Sequence, residues 1–173
     1  ALDCNTRNFR KSIKHVASGW EISLFGDKTA DNYFALPGIF CKAPQNASAS
    51  YSGVSSLKHL EKWGCSKFLF ISPQSGTIEV NTGNGWVKHT IQASKNVQCI
   101  SIDKTTDKFE VKTSPRSLVA LGVWLYDNSG ISVDCMSLRG NSGITHAGVN
   151  KDIAHQMNKH VDYDLIIMEY GLN

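Results

Sequence analysis

Three groups of residues in this 173-residue chain have types and spacings that could do chemistry. The first is rich in glycine and small polar residues. Arg139-Gly-Asn-Ser-Gly-Ile-Thr145 is a loop dense in residues that tolerate unusual backbone angles. The last ten residues, Asp164-Leu-Ile-Ile-Met-Glu-Tyr-Gly-Leu-Asn173, read as a buried strand followed by Gly171-Leu172-Asn173 at its carboxyl end. That end of an α/β sheet is where ligands gather. The second group pairs acids with bases. Asp152-Ile-Ala-His155 falls on a helical pattern and reads as a solvated helix face; Gly26-Asp27-Lys28 reads as a turn. Ser142 could be a nucleophile, but a loop hydroxyl bonded to nearby backbone is the plainer reading. His146 could face a substrate or simply start a helix. Arg139 could hold an anion or pack on a neighbour, and Glu169 could serve a site or face an edge. The third group is aromatic. Trp20, Trp63 and Trp86 would stack sugar rings if exposed and fill a core if buried.

Metal chemistry is not indicated. The five cysteines, Cys4, Cys41, Cys65, Cys99 and Cys135, form no C-x-x-C pair, so a zinc site is not expected. Cys99 and Cys135 lie on apolar strand patterns and read as small buried hydrophobes. No acidic cluster suits calcium. No cofactor is expected.

The elements that must position these groups are mostly strands. Trp20–Phe25 alternates apolar and polar residues before the Gly26-Asp27 turn. Lys67–Ile71, Thr77–Val80, Trp86–Ile91, Val97–Ile102, Lys108–Lys112 and Leu118–Tyr126 follow at short intervals, with turn residues between. Asn84-Gly85 is a strong hairpin signal. Ala43–Gly53, small and rich in serine, reads as a loop or an edge strand. This spacing predicts an all-β sandwich or barrel. After Asp127-Asn-Ser-Gly130 the pattern changes. Ile131–Met136 reads as a strand, and 149–160 as a helix with Val149, Ile153, Met157 and Val161 on one face. Asp164–Tyr170 would then be a parallel strand, giving one right-handed βαβ unit. The expected organisation is an extended N-terminal segment over 1–16, a β-sandwich over 17–128 and an α/β segment over 129–173.

Net charge is +3, from 18 Lys+Arg against 15 Asp+Glu, and no basic run exceeds a pair; this argues against nucleic acid as a partner. The longest apolar runs, about six residues, are far below the ~20 of a membrane span.

The ordered set Ser142-Gly-Ile-Thr145, a helix, then Gly171-Leu172-Asn173 resembles the SGNH (GDSL-type) lipase/acylhydrolase superfamily. Ser142-Gly143-Ile144-Thr145 is similar to that family's second block, and Gly171-Leu172-Asn173 to its third. The resemblance covers roughly the last 45 residues. It implies an incomplete SGNH-type, flavodoxin-like sheet, preceded by a jelly-roll-like sandwich such as some secreted bacterial members carry. It also implies that the Gly143 amide and the Asn173 side chain are two of the three donors that hold an oxyanion during acyl transfer. The substrate would be an acylated carbohydrate or other small ester, and the location secreted or periplasmic.

The chain departs from the family pattern in the reacting groups. Gly26-Asp27-Lys28 has lysine where the nucleophile belongs. Asp152-Ile-Ala-His155 precedes the third block, whereas the family's acid–base pair follows it. The expectation is therefore a fragment: the serine upstream of Ala1, the Asp/His pair downstream of Asn173, the remainder of the parent chain a necessary partner, and no hydrolysis by this chain alone. The alternative is a carbohydrate-binding or protein-interaction β-sandwich without catalysis.

Overall fold

The computed structural model describes residues 10–35, 37–136 and 143–169. The chain is mainly β, a jelly-roll-like sandwich of two five-stranded sheets followed by one α-helix. The strands are β1 (Ile13–Ser18), β2 (Glu21–Leu24), β3 (Ile39–Ala43), β4 (Ala47–Gly53), β5 (Trp63–Ser72), β6 (Gly76–Asn81), β7 (Trp86–Ile91), β8 (Ser94–Thr106), β9 (Lys108–Thr113) and β10 (Leu118–Tyr126). A 3₁₀ turn, Ile144–Gly148, precedes α1, Lys151–Val161. One sheet has the order β2-β3-β10-β5-β8, the other β1-β4-β9-β6-β7, and every pairing is antiparallel.

The centre of the first sheet is covered on both faces, which is why Phe68–Ile71 of β5 and most of β10 read as unbroken apolar runs. Phe68, Phe70, Leu118 and Ala120 face the second sheet; Leu69, Ile71, Val119 and Leu121 face outward, under α1. A register shift between Ala120 and Gly122 lets Val123 and Leu125 return to the inner face, the ordinary effect of a bulge. The second sheet is covered on one face only. Ala47, Ala49 and Tyr51 of β4, Ile78 and Val80 of β6, and Phe109 and Val111 of β9 point into the core. Their neighbours alternate outward to solvent.

Helix α1 lies where the apolar pattern places it. Ile153 and Met157 are buried against Phe34, Leu69, Val97 and Trp124. The Asn150 side chain accepts from the Ile153 amide at 3.1 Å as N-cap. Asn150 also donates from Nδ2 to the Asn32 carbonyl, 2.9 Å, and Asn32 donates to the Gly148 carbonyl, 2.9 Å. At the far end Lys67 Nζ donates to the His160 carbonyl, 2.6 Å. The helix is thus an accessory of the sandwich.

Four expectations are corrected. The segments flanking α1, 131–136 and 165–169, carry no strand pairing, so the βαβ unit is represented by its helix. Ile131 is 95% exposed and Ile167 83% exposed. A lone parallel pair has too few partners to hold itself, and α1 has already been taken by the sandwich. The serine-rich stretch is neither a loop nor an edge: β4 lies between β1 and β9. Its two hydrogen-bonded neighbours supply what serine's low strand preference does not. From Ile13 onward the N-terminal segment is itself a strand. Of the two cysteines read as buried, Cys99 is half-buried and Cys135 exposed, because one sits on the outward face of β8 and the other beyond the last strand.

Candidate functional site

The outward face of the second sheet is built from directly opposed residues. One row crosses all five strands: Ser18 (β1), Ser48 (β4), Lys112 (β9), Glu79 (β6) and Lys88 (β7). The next row is Val16, Ser50, Glu110, Asn81 and Trp86. β4 contributes only serines to this face, so its middle is low. Lysine, glutamate and tryptophan on β9, β6 and β7 stand taller beside it. The result is a trough of about 480 Å³ running along the first row, with Asn46, Thr77, Thr113 and Ser114 completing its lining. That volume lies within the roughly 300–1,000 Å³ of small-ligand sites. Five strands set about 4.8 Å apart make the trough roughly 19 Å long.

The second row is tied together. Glu110 accepts from Asn81 Nδ2 at 2.8 Å and from Ser50 at 3.4 Å, and pairs with Lys108 at 3.0 Å. Asn81 Oδ1 also accepts from the amides of Gly83 and Gly85, 2.9 and 3.2 Å, closing the β6–β7 hairpin. Gly83 and Gly85 both have positive φ, 95° and 100°, so the left-handed positions flank Asn84, where the sequence had suggested the pair Asn84-Gly85. This hairpin fixes Trp86 at the start of β7, 42% exposed. Lys112 Nζ lies 4.0 Å from the centre of its ring, a cation–π contact.

The three tryptophans singled out from the sequence are thus separated. Trp86 is on the open face. Trp63 is 1% exposed, and its Nε1 donates to Ser66 Oγ at 2.7 Å; it is core, and its assignment as a sugar platform is corrected. Trp20 is half-buried, packs on the core and donates to the Ser48 carbonyl at 2.9 Å, beneath the trough. Alternation counted back from Ile91 puts Trp86 outside, a signal available in the sequence. Alternation along β5 would instead set Trp63 with Leu69 and Ile71 on the outer face; it packs in the inner core, beside a register shift between Trp63 and Cys65. The serines were missed because they carry no charge or ring, yet Ala47-Ser-Ala-Ser-Tyr-Ser52 alternates strictly.

None of the described C-terminal residues lines this trough. Gly143 has φ 90° and ψ −23° at the head of the 3₁₀ turn, a conformation that a Cβ would strain. Asn173, with Gly171 and Leu172, lies outside the described residues, as do Arg139 and Ser142. His146 is the middle residue of the 3₁₀ turn and meets Phe25 edge-on at 5.6 Å. Asp152 and His155 are exposed on α1. Asp27 accepts from the Leu24 amide at 2.7 Å, closing the turn that the sequence suggested. Glu169 is exposed.

A polar triangle that the sequence did not reveal joins these parts. Trp124 Nε1 on β10 donates to Asp134 Oδ2 at 2.8 Å and also to Tyr163 Oη at 3.0 Å, and Tyr163 Oη donates to Asp134 at 2.7 Å. Burial, with the carboxylate beside it, pushes the Tyr163 phenol well above its ordinary range. The triangle is therefore structural and holds its proton. Cys99 is likewise pushed up, to about 11, by burial, which makes it a poor nucleophile. No group of three or more metal-ligating side chains occurs among the described residues. No described helix is long and apolar enough to cross a membrane.

No known family profile matches the chain, and no curated protein does. Solved structures give partial likenesses. A family 29 carbohydrate-binding module from Piromyces equi is 10% identical, over 69% of this chain and 84% of that one, with a TM-score of 0.40. A family 6 module from Clostridium stercorarium in complex with cellobiose is 12% identical, over 66% and 87%, at 0.39. A peptidoglycan O-acetylesterase is 17% identical over 69% of this chain, at 0.44, and the chain spans 32% of that protein.

Proposed function

We propose that this chain is a carbohydrate-binding β-sandwich module whose ligand lies in the trough across β1-β4-β9-β6-β7. One observation carries the reading: an exposed indole, Trp86, stands beside a polar trough that crosses the full width of a sheet. An indole face stacks on the C–H face of a pyranose, and closely spaced hydroxyl, amide and carboxylate groups suit its hydroxyls. Ser18, Ser48, Asn46, Thr77 and Glu79 supply them. The test is isothermal titration with neutral and acidic tetrasaccharides, on the wild type, Trp86→Ala and Ser48→Tyr. Binding that is lost in both variants supports the assignment. Binding unaffected by a tyrosine filling the trough places the ligand elsewhere and defeats it.

A second reading concerns the C-terminal segment. Gly143 adopts left-handed geometry at a loop-to-helix junction, where the second-block glycine of an SGNH-type ester hydrolase would present its amide. Under this reading the chain is part of a secreted or periplasmic acylhydrolase acting on an acylated carbohydrate. The nucleophile and the Asp/His pair come from the remainder of the parent protein, with Asn173 a further oxyanion donor. The chain alone then leaves p-nitrophenyl acetate intact. Saturable turnover that survives Ser142→Ala and His155→Ala would contradict it.

A further inference from the structure

The charges on the trough face are not balanced, and their arrangement narrows the ligand class. Its strands carry Lys14, Lys88, Lys108 and Lys112 against Glu79 and Glu110. Glu110 is already engaged by Lys108, Asn81 and Ser50. Within the trough itself this leaves Lys112, Glu79 and Lys88 side by side on β9, β6 and β7. A lysine directly opposite a glutamate would ordinarily lean toward it. Lys112 instead holds its ammonium 4.0 Å over the Trp86 ring, and the described salt bridges do not include a Lys112–Glu79 pair. Its charge is therefore attracted by the indole but not cancelled. It occupies the very ring face on which a neutral sugar would stack. A ligand that carries its own carboxylate both draws the ammonium aside and gains its charge. Thr113, 3% exposed, lines the same trough, and its Oγ1 has no hydrogen-bond partner among the described residues.

We infer that the trough selects an acidic oligosaccharide, with Trp86 stacking on one ring while Lys112 and Lys88 meet carboxylates on the chain; this rests on carbohydrate binding at this face. Glu79, between the two lysines, sets the spacing: a carboxylate is welcome at either side of it and repelled at its centre. The ligand is thus a polymer with charged groups at intervals, not a uniformly dense polyanion.

The test titrates the whole chain with tetragalacturonate, cellotetraose and inorganic polyphosphate, at low and at physiological ionic strength. Tetragalacturonate is expected to bind more tightly than cellotetraose and to weaken severalfold as salt rises through the screening range. Lys112→Met should cost the acidic probe roughly three- to fivefold, the scale of an exposed ion pair. The same variant should bind cellotetraose more tightly, because the ammonium no longer competes for the indole face. Equal binding of both sugars without salt dependence would overturn the acidic preference and leave the sugar trough standing. Polyphosphate binding as well as tetragalacturonate would overturn it too, by reducing the face to general anion attraction. No binding of either sugar would instead defeat the carbohydrate reading on which it rests.

Discussion

Acidification should weaken the sandwich through His15, and the size of the effect can be worked from its surroundings. The His15 ring on β1 stacks on Tyr51, with centroids 4.4 Å apart and planes 16° from parallel. Neither ring nitrogen has a hydrogen-bond partner among the described residues. Burial lowers the imidazole pKa from 6.5 to about 4. The folded protein therefore binds fewer protons than the unfolded chain between about pH 6.5 and 4. Stability is fully present above that window and is lost as pH falls through it. A gap of about 2.5 units sets a ceiling of ~3.4 kcal/mol. His15 is only half-buried, so solvent screening reduces the expected loss to about 1–2 kcal/mol. For a domain of this size that is roughly 2–8 °C in Tm. The comparison is His15→Phe, which keeps the stack on Tyr51 and removes both unsatisfied nitrogens. Urea denaturation from about pH 7 to pH 4 should show a smaller fall in stability for the variant, while at neutral pH it should be as stable as the wild type or more so. Identical pH profiles for the two proteins would refute the argument, because the carboxylates they share would then account for all acid sensitivity.

Three further outcomes follow from packing. Gly53→Ala places a Cβ onto the Glu61 carbonyl, where backbone must shift; thermal melting should show a loss of at least 2 kcal/mol. Asn150→Ala removes the N-cap of α1 and its bond to the Asn32 carbonyl, costing about 1–2 kcal/mol, with faster hydrogen exchange in Lys151–Ala154. Tyr163→Phe removes the hydroxyl shared by Trp124 and Asp134. Its expected cost is about 1–3 kcal/mol, and exchange over 131–136 should quicken while the strands of the second sheet stay protected.

Much of the fold could be read from local pattern where local pattern is also what the core demands. Phe68–Ile71 of β5 and most of β10 are continuous apolar runs because both their faces are covered. Ile153 and Met157 repeat at helical spacing because only one side of α1 meets the sandwich. The places where reading fails are those where a distant neighbour decides. Ile131–Met136 and Leu165–Met168 have the composition of buried strands, but no adjacent strand meets them within the described residues. Ser48 and Ser50 have the composition of a loop, yet two neighbours hold them in a sheet. The site is less legible still. Trp63 and Trp86 look alike as letters; strand parity places Trp86 outside, but an irregularity beside Trp63 breaks the parity that would have placed it. The trough arises from four strand registers at once, and a register is not written in any single segment.

The two sheets differ in how much of each strand is committed to folding. In β5 and β10 nearly every side chain is packed, so a substitution there is felt by the whole molecule. In β4, β9 and β6 only alternate residues carry the core, and in β7 only Ile91 does; the others are set side by side across the sheet like type in a frame. Those outward positions can be reset one at a time without disturbing what lies beneath. On the proposed reading, recognition would be open to redesign at Ser48, Glu79, Lys88 and Lys112 while the fold that displays them stays as it is.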